Sequence, residues 1–395
     1  MKIDRKRPSH WLYLVLTGIH GLLALALRAL LPARNGRPPW IVLYGHKLNG
    51  NLLALYRYMD SCPGAWRPVF LTMDPAYYRR LRAEGIDCVL APHPAAAWLL
   101  ARAAAVITDH GLHSLRLLLG RGKLPFFDVW HGVPFKGFDA GDFRVQQRYD
   151  EVWVSSPALR DLYVERFGFD AARVVATGYA RTDTLLNAGE AVRRRIRQTL
   201  GLQAFERCVL FAPTWSQDDA RRDIYPFGID EATFLDALAA VCERHRAALL
   251  VRKHLNTAGA QDYSNDRVRF VSSADHPDTE SILAISDVLI VDWSSVAFDF
   301  LLLDRPAIFL DVPPPFAKGF SLGPEFRFGD VATDMPAVLE LLDSRLRAPS
   351  VYLGEHGAAH RHARDVVYGG MADGHAAERC VARLRHHLVE RHSLR

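Results

Sequence analysis

Short apolar runs alternate with helical patterns along almost the whole chain. Runs such as WIVLY (40–44), CVLFA (208–212) and VLIV (288–291) contain no alternating polar positions, so each is expected to be a strand buried on both faces. Amphipathic helical patterns follow most of these runs. This order is typical of an α/β protein in which helices cover both faces of a parallel, doubly wound sheet.

The alternation of strands and helices starts again near residue 185, and a chain of 395 residues is long enough for two cores. The predicted divisions are an apolar helix and linker at 1–38, a Rossmann-like N-terminal domain at 39–185, a second Rossmann-like domain at 186–350, and C-terminal helices that pack back on these domains at 351–395. Doubly wound sheets bind ligands beyond the carboxyl ends of their strands. Two such domains facing each other would therefore enclose a cleft.

The charge balance restricts the class of partner. The chain has 49 Lys and Arg against 44 Asp and Glu, a net charge of +5, and no dense basic cluster that would indicate nucleic acid. A mild positive charge suits an anionic substrate or an anionic membrane surface. The five cysteines form no CxxC pair, which is typical of reduced core residues in a cytosolic protein.

An apolar run long enough to cross a bilayer, WLYLVLTGIHGLLALALRALL (11–31), follows a basic start. No A-x-A cleavage pattern follows, so we do not expect a removed signal peptide. His20 and Arg28 interrupt the run and basic residues flank both of its ends, whereas spanning helices show charge asymmetry. We predict an interfacial helix on the cytoplasmic face of the inner membrane, peripheral or monotopic. A true span and a buried soluble helix are the alternatives.

Two strand ends in the second half carry groups suited to phosphate. The run VLIV leads to Asp292, Ser294 and Ser295 at the start of a helical pattern, where free backbone N–H groups favour an anion. The run LLV leads to Arg252 and His254, which are suited to contact a phosphate and supply a proton. The alternatives are a capped turn and an exposed basic turn.

Two further strand ends add candidates for the donor side. Thr214 follows the strand CVLFA and supplies a hydroxyl donor. The segment ATGYARTD (176–183) offers Gly178 for close backbone approach, and Arg181 and Asp183 for pairing with each other or for ligand binding. The alternative for this segment is a domain-joining loop with a structural ion pair.

In the first half, the segment DVWHGVPFKGF (128–138) ends an apolar run on His131. Gly132 and Pro134 restrict the backbone there, and Lys136 adds a positive charge. A histidine with an ordinary pKa near 6.5 can act as a general base at cellular pH. The alternative is a structural histidine at the end of a strand.

Other strand ends of the first half carry polar groups that could bind an acceptor. The segments GHKLNGN (45–51) and TDHGLH (108–113) each follow a predicted strand. A His/Asp metal site could be built from them, but their spacing matches no known metal signature, so no metal site is predicted. The predicted acceptor-binding residues are His46, Asn49, Asn51, Asp109 and Lys136. Phosphate-type groups in the second half and a candidate base in the first suggest a donor nucleotide on one domain and an acceptor on the other.

In their order along the chain, these motifs resemble the CDP-glycerol glycerophosphotransferase family of teichoic-acid-type primases and polymerases. The similar segments are WHGVPFKGF (130–138), GYARTD (178–183), FAPTW (211–215), VRKHLN (251–256), DVLIVDWSSVAFDFLLLDRPAIFL (287–310) and DGHAAERCVARL (373–384). Ala180 and Thr182 stand where the family usually has proline and asparagine.

The resemblance implies a GT-B fold and a phosphotransferase of the EC 2.7.8 type. Such an enzyme transfers an alditol phosphate from a CDP-alditol to an acceptor hydroxyl, with release of CMP, in the synthesis of a teichoic-acid-like or capsular polymer. By the same resemblance, His131 would be the general base, and His254 would contact the pyrophosphate and stabilise the leaving group. The residues expected on the donor side are Arg252, Ser294, Ser295, Thr214, Gly178, Arg181, Asp183, Asp292 and Asp299.

The partners expected from this resemblance are a CDP-alditol donor, a lipid-linked or glycan acceptor and the cytoplasmic membrane surface, without nucleic acid. No cofactor is required, although nucleotide pyrophosphates commonly carry Mg²⁺, so Mg²⁺ bound with the donor is compatible with this prediction. Two alternatives belong to other classes: a GT-B glycosyltransferase that uses a nucleotide sugar, and a non-catalytic scaffold that binds polyanions at the membrane. The motifs leave open the identity of the alditol and whether one unit or many are added.

Overall fold

The computed structural model describes residues 7–31, 38–120, 124–214, 225–252, 265–273 and 275–393. The strands are β1 (Trp40–Tyr44), β2 (Arg67–Thr72), β3 (Cys88–Leu90), β4 (Ala103–Thr108), β5 (Phe126–Asp128), β6 (Glu151–Val154), β7 (Val174–Ala176), β8 (Arg207–Ala212), β9 (Ala247–Val251), β10 (Val268–Phe270), β11 (Val288–Val291), β12 (Ala307–Leu310) and β13 (Asp330–Ala332). The α-helices are α1 (Pro8–Leu30), α2 (Gly50–Asp60), α3 (Pro75–Ala83), α4 (Ala95–Arg102), α5 (Pro157–Glu165), α6 (Arg181–Leu186), α7 (Glu190–Thr199), α8 (Glu231–Arg244), α9 (Thr279–Ile285), α10 (Val296–Leu301), α11 (Met335–Arg347), α12 (Tyr352–Tyr368) and α13 (Ala376–Ser393).

The chain divides into two compact units. Unit 1 comprises Met1–His131, Asp139–Asp183 and Met371–Arg395, and unit 2 comprises Gly132–Phe138 and Thr184–Gly370. The change of unit at Asp183 lies close to the predicted boundary at 185. Two segments differ from the predicted ranges: the chain leaves unit 1 for seven residues directly after His131, and the C-terminal helices are shared, with α12 in unit 2 and α13 in unit 1.

The sheet of unit 1 is entirely parallel among the described residues, in the order β3-β2-β1-β4-β5-β6-β7. Strand order reverses between β1 and β4, which pair directly, with Tyr44 opposite Thr108. A ligand of a doubly wound sheet binds at this reversal, beyond the carboxyl ends of the strands. The residues that follow Tyr44 and Thr108 are therefore placed where chemistry is expected.

The sheet of unit 2 follows the same rule, in the order β10-β9-β8-β11-β12-β13, again with parallel pairs. Here the order reverses between β8 and β11, which pair with Ala212 opposite Val291. The loops after Ala212 and Val291 carry Thr214 and Asp292. Both predicted doubly wound sheets are confirmed.

Successive residues of β1 point to opposite layers of the core, as the period of a strand requires. Ile41 and Leu43 pack with residues of α2, α3 and α13, whereas Val42 and Tyr44 pack with residues of α1 and α4. Ile41, Val42 and Leu43 are completely buried, and each such side chain stabilises the fold by about 1.5–3 kcal/mol. Helices from both ends of the chain therefore complete the core of unit 1.

Helix α13 is attached to unit 1 by polar contacts as well as by its apolar face. Both carboxylate oxygens of Asp183 accept backbone N–H groups at its first turn, from Ala376 at 3.0 Å and from Ala377 at 2.8 Å. Further along the helix, the Arg383 guanidinium donates two hydrogen bonds to the buried Glu151 carboxylate, at 2.7 and 3.0 Å.

Helix α1 lies with one face against α4 and the 3₁₀ turn His113–Leu118. Gly18 and Gly21 face side chains of that turn, and a Cβ at either position would lie in ordinary van der Waals contact with them. Arg28 donates to the carbonyl oxygens of Ala101 and Ala103, at 3.2 and 2.6 Å. Among the described residues, α1 alone is long and apolar enough to cross a membrane, judged by length and composition.

Candidate functional site

The turn that carries His131 begins at the end of β5. Asp128 Oδ1 accepts the backbone N–H of Trp130 at 2.7 Å, and Trp130 has φ +41°, a left-handed conformation that is costly for a bulky residue. The side-chain amide of Asn51 donates to the carbonyl oxygens of Val129 and Trp130, at 2.8 and 2.9 Å. Buried polar groups thus hold a strained turn in one conformation.

Arg181 completes the support of this turn. Its backbone N–H donates to Asn51 Oδ1 at 3.1 Å, and its guanidinium donates to the carbonyl oxygen of His131 at 2.8 Å. Both side chains are almost fully buried. Asn51 was predicted to bind the acceptor and Arg181 the donor, but the structure shows both holding the backbone around His131.

The imidazole of His131 is exposed, and its Nδ1 lies 3.1 Å from the backbone carbonyl oxygen of Asp109. A carbonyl oxygen only accepts hydrogen bonds, so Nδ1 carries the proton and Nε2 has the lone pair. Desolvation by the surrounding protein lowers the pKa of His131, and the positive charges of His110 and Arg181 lower it further. The ring is therefore neutral at cellular pH, which is the form that a general base requires.

Three more imidazoles form a series of ring contacts that starts at His131 and runs through His110 and His46 to His113. The His131 ring stacks on His110, with centroids 4.4 Å apart and an interplanar angle of 12°. His46 lies 4.6 Å from His110, and His113 lies 5.4 Å from His46. Asp109 Oδ1 is 2.7 Å from His110 Nδ1. Of the predicted acceptor residues, the structure therefore brings His46 and Asp109 together with His131.

His110 was absent from the predicted site residues although a signal for it was present. It follows Asp109 in the segment TDHGLH, directly after a strand, as His46 follows β1. Only the pairing of β1 with β4 shows that these two strand ends meet at the reversal of strand order.

Asn49 and Lys136 are the two remaining predicted acceptor residues. Asn49 is the residue before the first turn of α2, where its side chain makes no capping hydrogen bond. Lys136 belongs to unit 2, where its backbone pairs with Phe320 and its carbonyl oxygen accepts the Ser321 hydroxyl at 2.8 Å. Residues 132–138, which the predicted range 39–185 includes, belong to unit 2, where the apolar side chain of Phe135 packs with Trp293 and Phe298. An acceptor-binding role for Lys136 stays a prediction.

In unit 2, Asp292 joins the two strand ends at which the order of the sheet reverses. Its Oδ1 accepts both the backbone N–H and the hydroxyl of Thr214, at 2.8 and 2.6 Å. The Thr214 hydroxyl therefore donates its hydrogen bond to Asp292. The arrangement holds the loops after β8 and β11 together at the predicted donor edge.

Ser294 and Ser295 are half-buried and follow Asp292 at this edge. The Ser295 side chain makes no capping hydrogen bond to α10, and Ser294 Oγ is 3.5 Å from the Val296 nitrogen, a long contact. A Cβ added at Gly132 would lie 2.9 Å from Ser295 Oγ. The glycine after His131 is thus in direct contact with a predicted donor residue.

Arg252 and Asp299 have structural partners within unit 2. The Arg252 guanidinium donates to the carbonyl oxygens of Val271 and His276 and to the Thr279 hydroxyl, and burial lowers its pKa. Arg252 therefore connects the end of β9 to the segment that leads into α9. Asp299 is buried on α10, with Oδ1 3.5 Å from the Tyr368 hydroxyl. His254 lies outside the described residues.

Gly178 and Asp183 support α13. Gly178 has φ +83°, and a Cβ there would lie 2.8 Å from the Met371 carbonyl oxygen and 2.9 Å from the Ala376 Cβ. Asp183 accepts the first N–H groups of the same helix. These contacts favour the structural alternative for this segment, and a donor-binding role for either residue stays a prediction.

Among the described residues, three ligand-type side chains converge only at Asp330, Glu355 and His356 in unit 2. Arg345 lies between them and donates to Asp330 at 2.6 Å and to Glu355 at 2.5 Å. A guanidinium already neutralises these carboxylates, so the cluster is an ion-pair network rather than a cation site.

The sequence of this chain is similar to those of several known proteins. The chain is 29% identical over 227 residues to the teichoic acid ribitol-phosphate polymerase TarK of Staphylococcus aureus (strain NCTC 8325 / PS 47). This alignment covers 54% of this chain and 44% of TarK. It is 26% identical over 285 residues to the teichoic acid glycerol-phosphate transferase of the same strain. This alignment covers 65% of this chain and 70% of the transferase. The chain thus spans less than half the length of TarK.

A solved structure of the wall teichoic acid polymerase TagF superposes with a TM-score of 0.71 at 19% identity, covering 96% of this chain and 98% of the TagF chain. This likeness confirms the predicted GT-B fold. The sequence model of CDP-glycerol:poly(glycerophosphate) glycerophosphotransferases matches residues 26–385, a range that contains every motif described above. The chain therefore belongs to the CDP-glycerol:poly(glycerophosphate) glycerophosphotransferase family.

Proposed function

We propose that this protein transfers an alditol phosphate, with glycerol phosphate as the first candidate, from a CDP-alditol to an acceptor hydroxyl and releases CMP. The product would be a teichoic-acid-like or capsular cell-surface polymer. The observation that carries this proposal is the His131 imidazole, neutral and exposed, on a turn that Asp128, Asn51 and Arg181 hold rigidly. The family of the chain and its relatives that transfer glycerol phosphate support this choice of substrate.

In the proposed reaction, Nε2 of His131 accepts the proton of the acceptor hydroxyl as its oxygen attacks the phosphorus that bears the alditol. The bond from that phosphorus to the bridging oxygen breaks, and CMP leaves with the electron pair. Positioning and charge neutralisation supply most of the catalysis in such in-line transfers. The fixed Nδ1–H···O=C hydrogen bond to Asp109 keeps the Nε2 lone pair available.

We propose that the donor contacts unit 2 beyond β8 and β11. The Ser294 and Ser295 hydroxyls are the candidates for direct phosphate contact, since neither side chain caps α10 closely. Thr214 and Asp292 would hold the two loops in register, and Arg252 would support the neighbouring strand end. His254 is retained as the group that stabilises the leaving phosphate. Any Mg²⁺ would arrive with the donor pyrophosphate, and no step is assigned to it.

The acceptor would approach unit 1 at the ends of β1 and β4, where Asp109 contacts His131 and His46 contacts the neighbouring His110. A lipid-linked or glycan acceptor with a free hydroxyl fits this proposal. His254 would then act from the donor side.

We also propose that α1 docks the protein on the cytoplasmic surface of the inner membrane without crossing it. Its buried face includes Thr17 and His20, and Arg28 is bound to carbonyl groups of unit 1, so lipid cannot surround the helix. Its opposite face is apolar and exposed, which suits an interfacial helix. The exposed residues of this membrane face are Trp11, Leu12, Val15, Ile19, Leu22 and Leu23.

The reaction is tested by incubating the purified full-length chain with CDP-glycerol, CDP-ribitol and UDP-sugars and measuring the released nucleotide. We expect CMP from a CDP-alditol, and we expect His131→Ala to lower that rate by about 10²–10⁴-fold while the protein stays folded. His386→Gln, which removes an exposed histidine of α13, is the matched control and should keep the wild-type rate.

Release of UDP from a sugar donor would instead support the glycosyltransferase alternative. A folded chain that binds anionic vesicles but releases no nucleotide from any donor would support the scaffold. Full activity in His131→Ala would refute the assignment of the base.

A further inference from the structure

We propose that His110, held by Asp109, is a positioning residue that controls how readily His131 accepts a proton, through the stacked contact of the two rings. This inference rests on the proposed role of His131 as the general base. It adds a residue that was not among the predicted site residues.

The contacts of Asp109 link the two rings. Its carboxylate Oδ1 lies 2.7 Å from His110 Nδ1, and its backbone carbonyl oxygen lies 3.1 Å from His131 Nδ1. One residue therefore orients both imidazoles through two different groups. The His110 side chain is 29% exposed and that of Asp109 only 4%, so this hydrogen bond is partly shielded from water.

The stacked geometry decides how the rings influence each other. With centroids 4.4 Å apart and planes within 12°, the N–H groups of one ring do not point at a nitrogen of the other. A proton does not pass directly between His110 and His131. The coupling is therefore electrostatic: a positive charge on one ring opposes a positive charge on the other.

The groups around His110 determine when it is charged. Burial disfavours its imidazolium, but the charge and hydrogen bond of Asp109 outweigh burial and raise the pKa of His110. The Asp128 carboxylate at the end of β5 adds to this effect only where it is ionised, since burial raises the pKa of Asp128 itself to about 7. His46 contacts the ring from the loop after β1. His113, from the 3₁₀ turn, has a pKa lowered to about 4 by burial, so it is neutral while His110 titrates.

The groups around His131 lower its pKa, whereas those around His110 raise the pKa of His110. Apart from desolvation, the largest cause of its lowered pKa is the charge of His110, and Arg181, at the start of α6, adds to it. Below the pKa of His110, the His110 ring is positively charged. This charge disfavours protonation of the stacked His131 ring, which must become positively charged when it accepts the proton of the acceptor hydroxyl. Above that pKa this opposition disappears. Activity should therefore rise with pH through the titration of His110.

The first test follows the histidine signals of the full-length chain by NMR and needs no donor. Signals of His110 and His131 are assigned from their loss in His110→Gln and His131→Gln. We expect His110 to titrate above the ordinary histidine value, and Asp109→Asn to lower its pKa by about one unit, since that change removes the carboxylate charge. His113→Gln is the matched control and should leave the pKa of His110 unchanged.

The second test measures kcat/KM for CMP release against pH in the same variants, each relative to its own plateau. One pH unit below the apparent pKa of the acid limb, kcat/KM of the wild type should be about tenfold below its plateau. At the same pH, kcat/KM of His110→Gln should stay close to its own plateau. Asp109→Asn should move the limb to lower pH together with the NMR pKa of His110, and His113→Gln should not move it. A purely structural role would lower the plateau without moving the limb.

Two outcomes would overturn the inference: an acid limb that stays in place in His110→Gln, or an ordinary or lowered pKa for His110 in the wild type. Failure to release CMP from any CDP-alditol would instead refute the proposed function. The NMR titration would still report the coupling of the rings in that case. The two failures are therefore distinguishable.

Discussion

Asn51 uses both ends of its side-chain amide on backbone groups around the turn of His131. Its Nδ2 donates to two successive carbonyl oxygens, and its Oδ1 accepts the Arg181 N–H. A buried amide with these partners cannot also bind an acceptor through the same atoms. At the scale of single residues, the site therefore depends on side chains that never contact a substrate but fix the backbone that presents the base.

Asn51→Asp is expected to separate these roles. The substitution keeps the acceptor for Arg181 but places a carboxylate against the carbonyl oxygens of Val129 and Trp130, so the turn should shift. We expect a loss of about 1–3 kcal/mol in the free energy of unfolding and a fall in kcat of about 10²-fold. Urea unfolding and CMP release measure the two effects. A rise in the KM for acceptor alone, with kcat and stability unchanged, would show that Asn51 binds the acceptor after all.

At the scale of elements, α1 combines two faces with different partners. The face with Thr17, Gly18 and Gly21 is buried and lies on α4 and the 3₁₀ turn. The opposite face exposes large apolar residues that no other part of the described chain covers. Exposed Trp98 on α4 and Leu117 on the turn belong to the two elements that α1 contacts.

Substituting the membrane face should release the protein from lipid without unfolding it. We expect Val15→Asp with Ile19→Asp to lower co-sedimentation with anionic vesicles by at least about tenfold, since each buried apolar side chain contributes about 1.5–3 kcal/mol. The melting temperature should stay unchanged. Val192→Asp, at an equally exposed apolar position on α7, is the control. Undiminished vesicle binding in the double variant would argue against docking through this face.

At the scale of the whole molecule, helix α13 packs on the core of unit 1 and completes it. Glu151 on β6 is 3% exposed and accepts hydrogen bonds from Arg383 and from Trp153. Residues of α13 such as Cys380 and Leu384 also enter the core that contains β1. The stability of the first unit therefore depends on residues from opposite ends of the sequence.

Breaking the contact between Arg383 and Glu151 should destabilise unit 1 in a pH-dependent manner. Burial opposes the charge of Glu151, but hydrogen bonds from His387, Arg383 and Trp153 outweigh it and lower the pKa of Glu151. Its stabilising contribution is therefore complete above the ordinary carboxyl pKa and is lost as the pH falls through the lowered value. We expect Arg383→Met to cost about 3–5 kcal/mol at neutral pH, measured by urea unfolding, and to flatten the acid dependence of stability. Equal stability in wild type and variant at neutral pH would contradict this.

The sequence by itself determined the class of the fold and the identity of the candidate base. Short apolar runs without alternating polar positions are typical of strands buried on both faces, and that local property is enough to predict parallel sheets between helices. The position of His131 directly after such a run is likewise local. The placement of Thr214 and Asp292 at strand ends followed from the same pattern.

Only the tertiary structure decided which of these strand ends meet and what each polar side chain touches. The pairing of β4 with β5 brought His110 to His131, and the folding of α13 onto unit 1 engaged Asp183 and Gly178. The burial of Phe135 placed Lys136 in the second unit. These contacts join residues far apart in sequence, so they depend on the packing of whole elements, and no short segment contains the information that selects them.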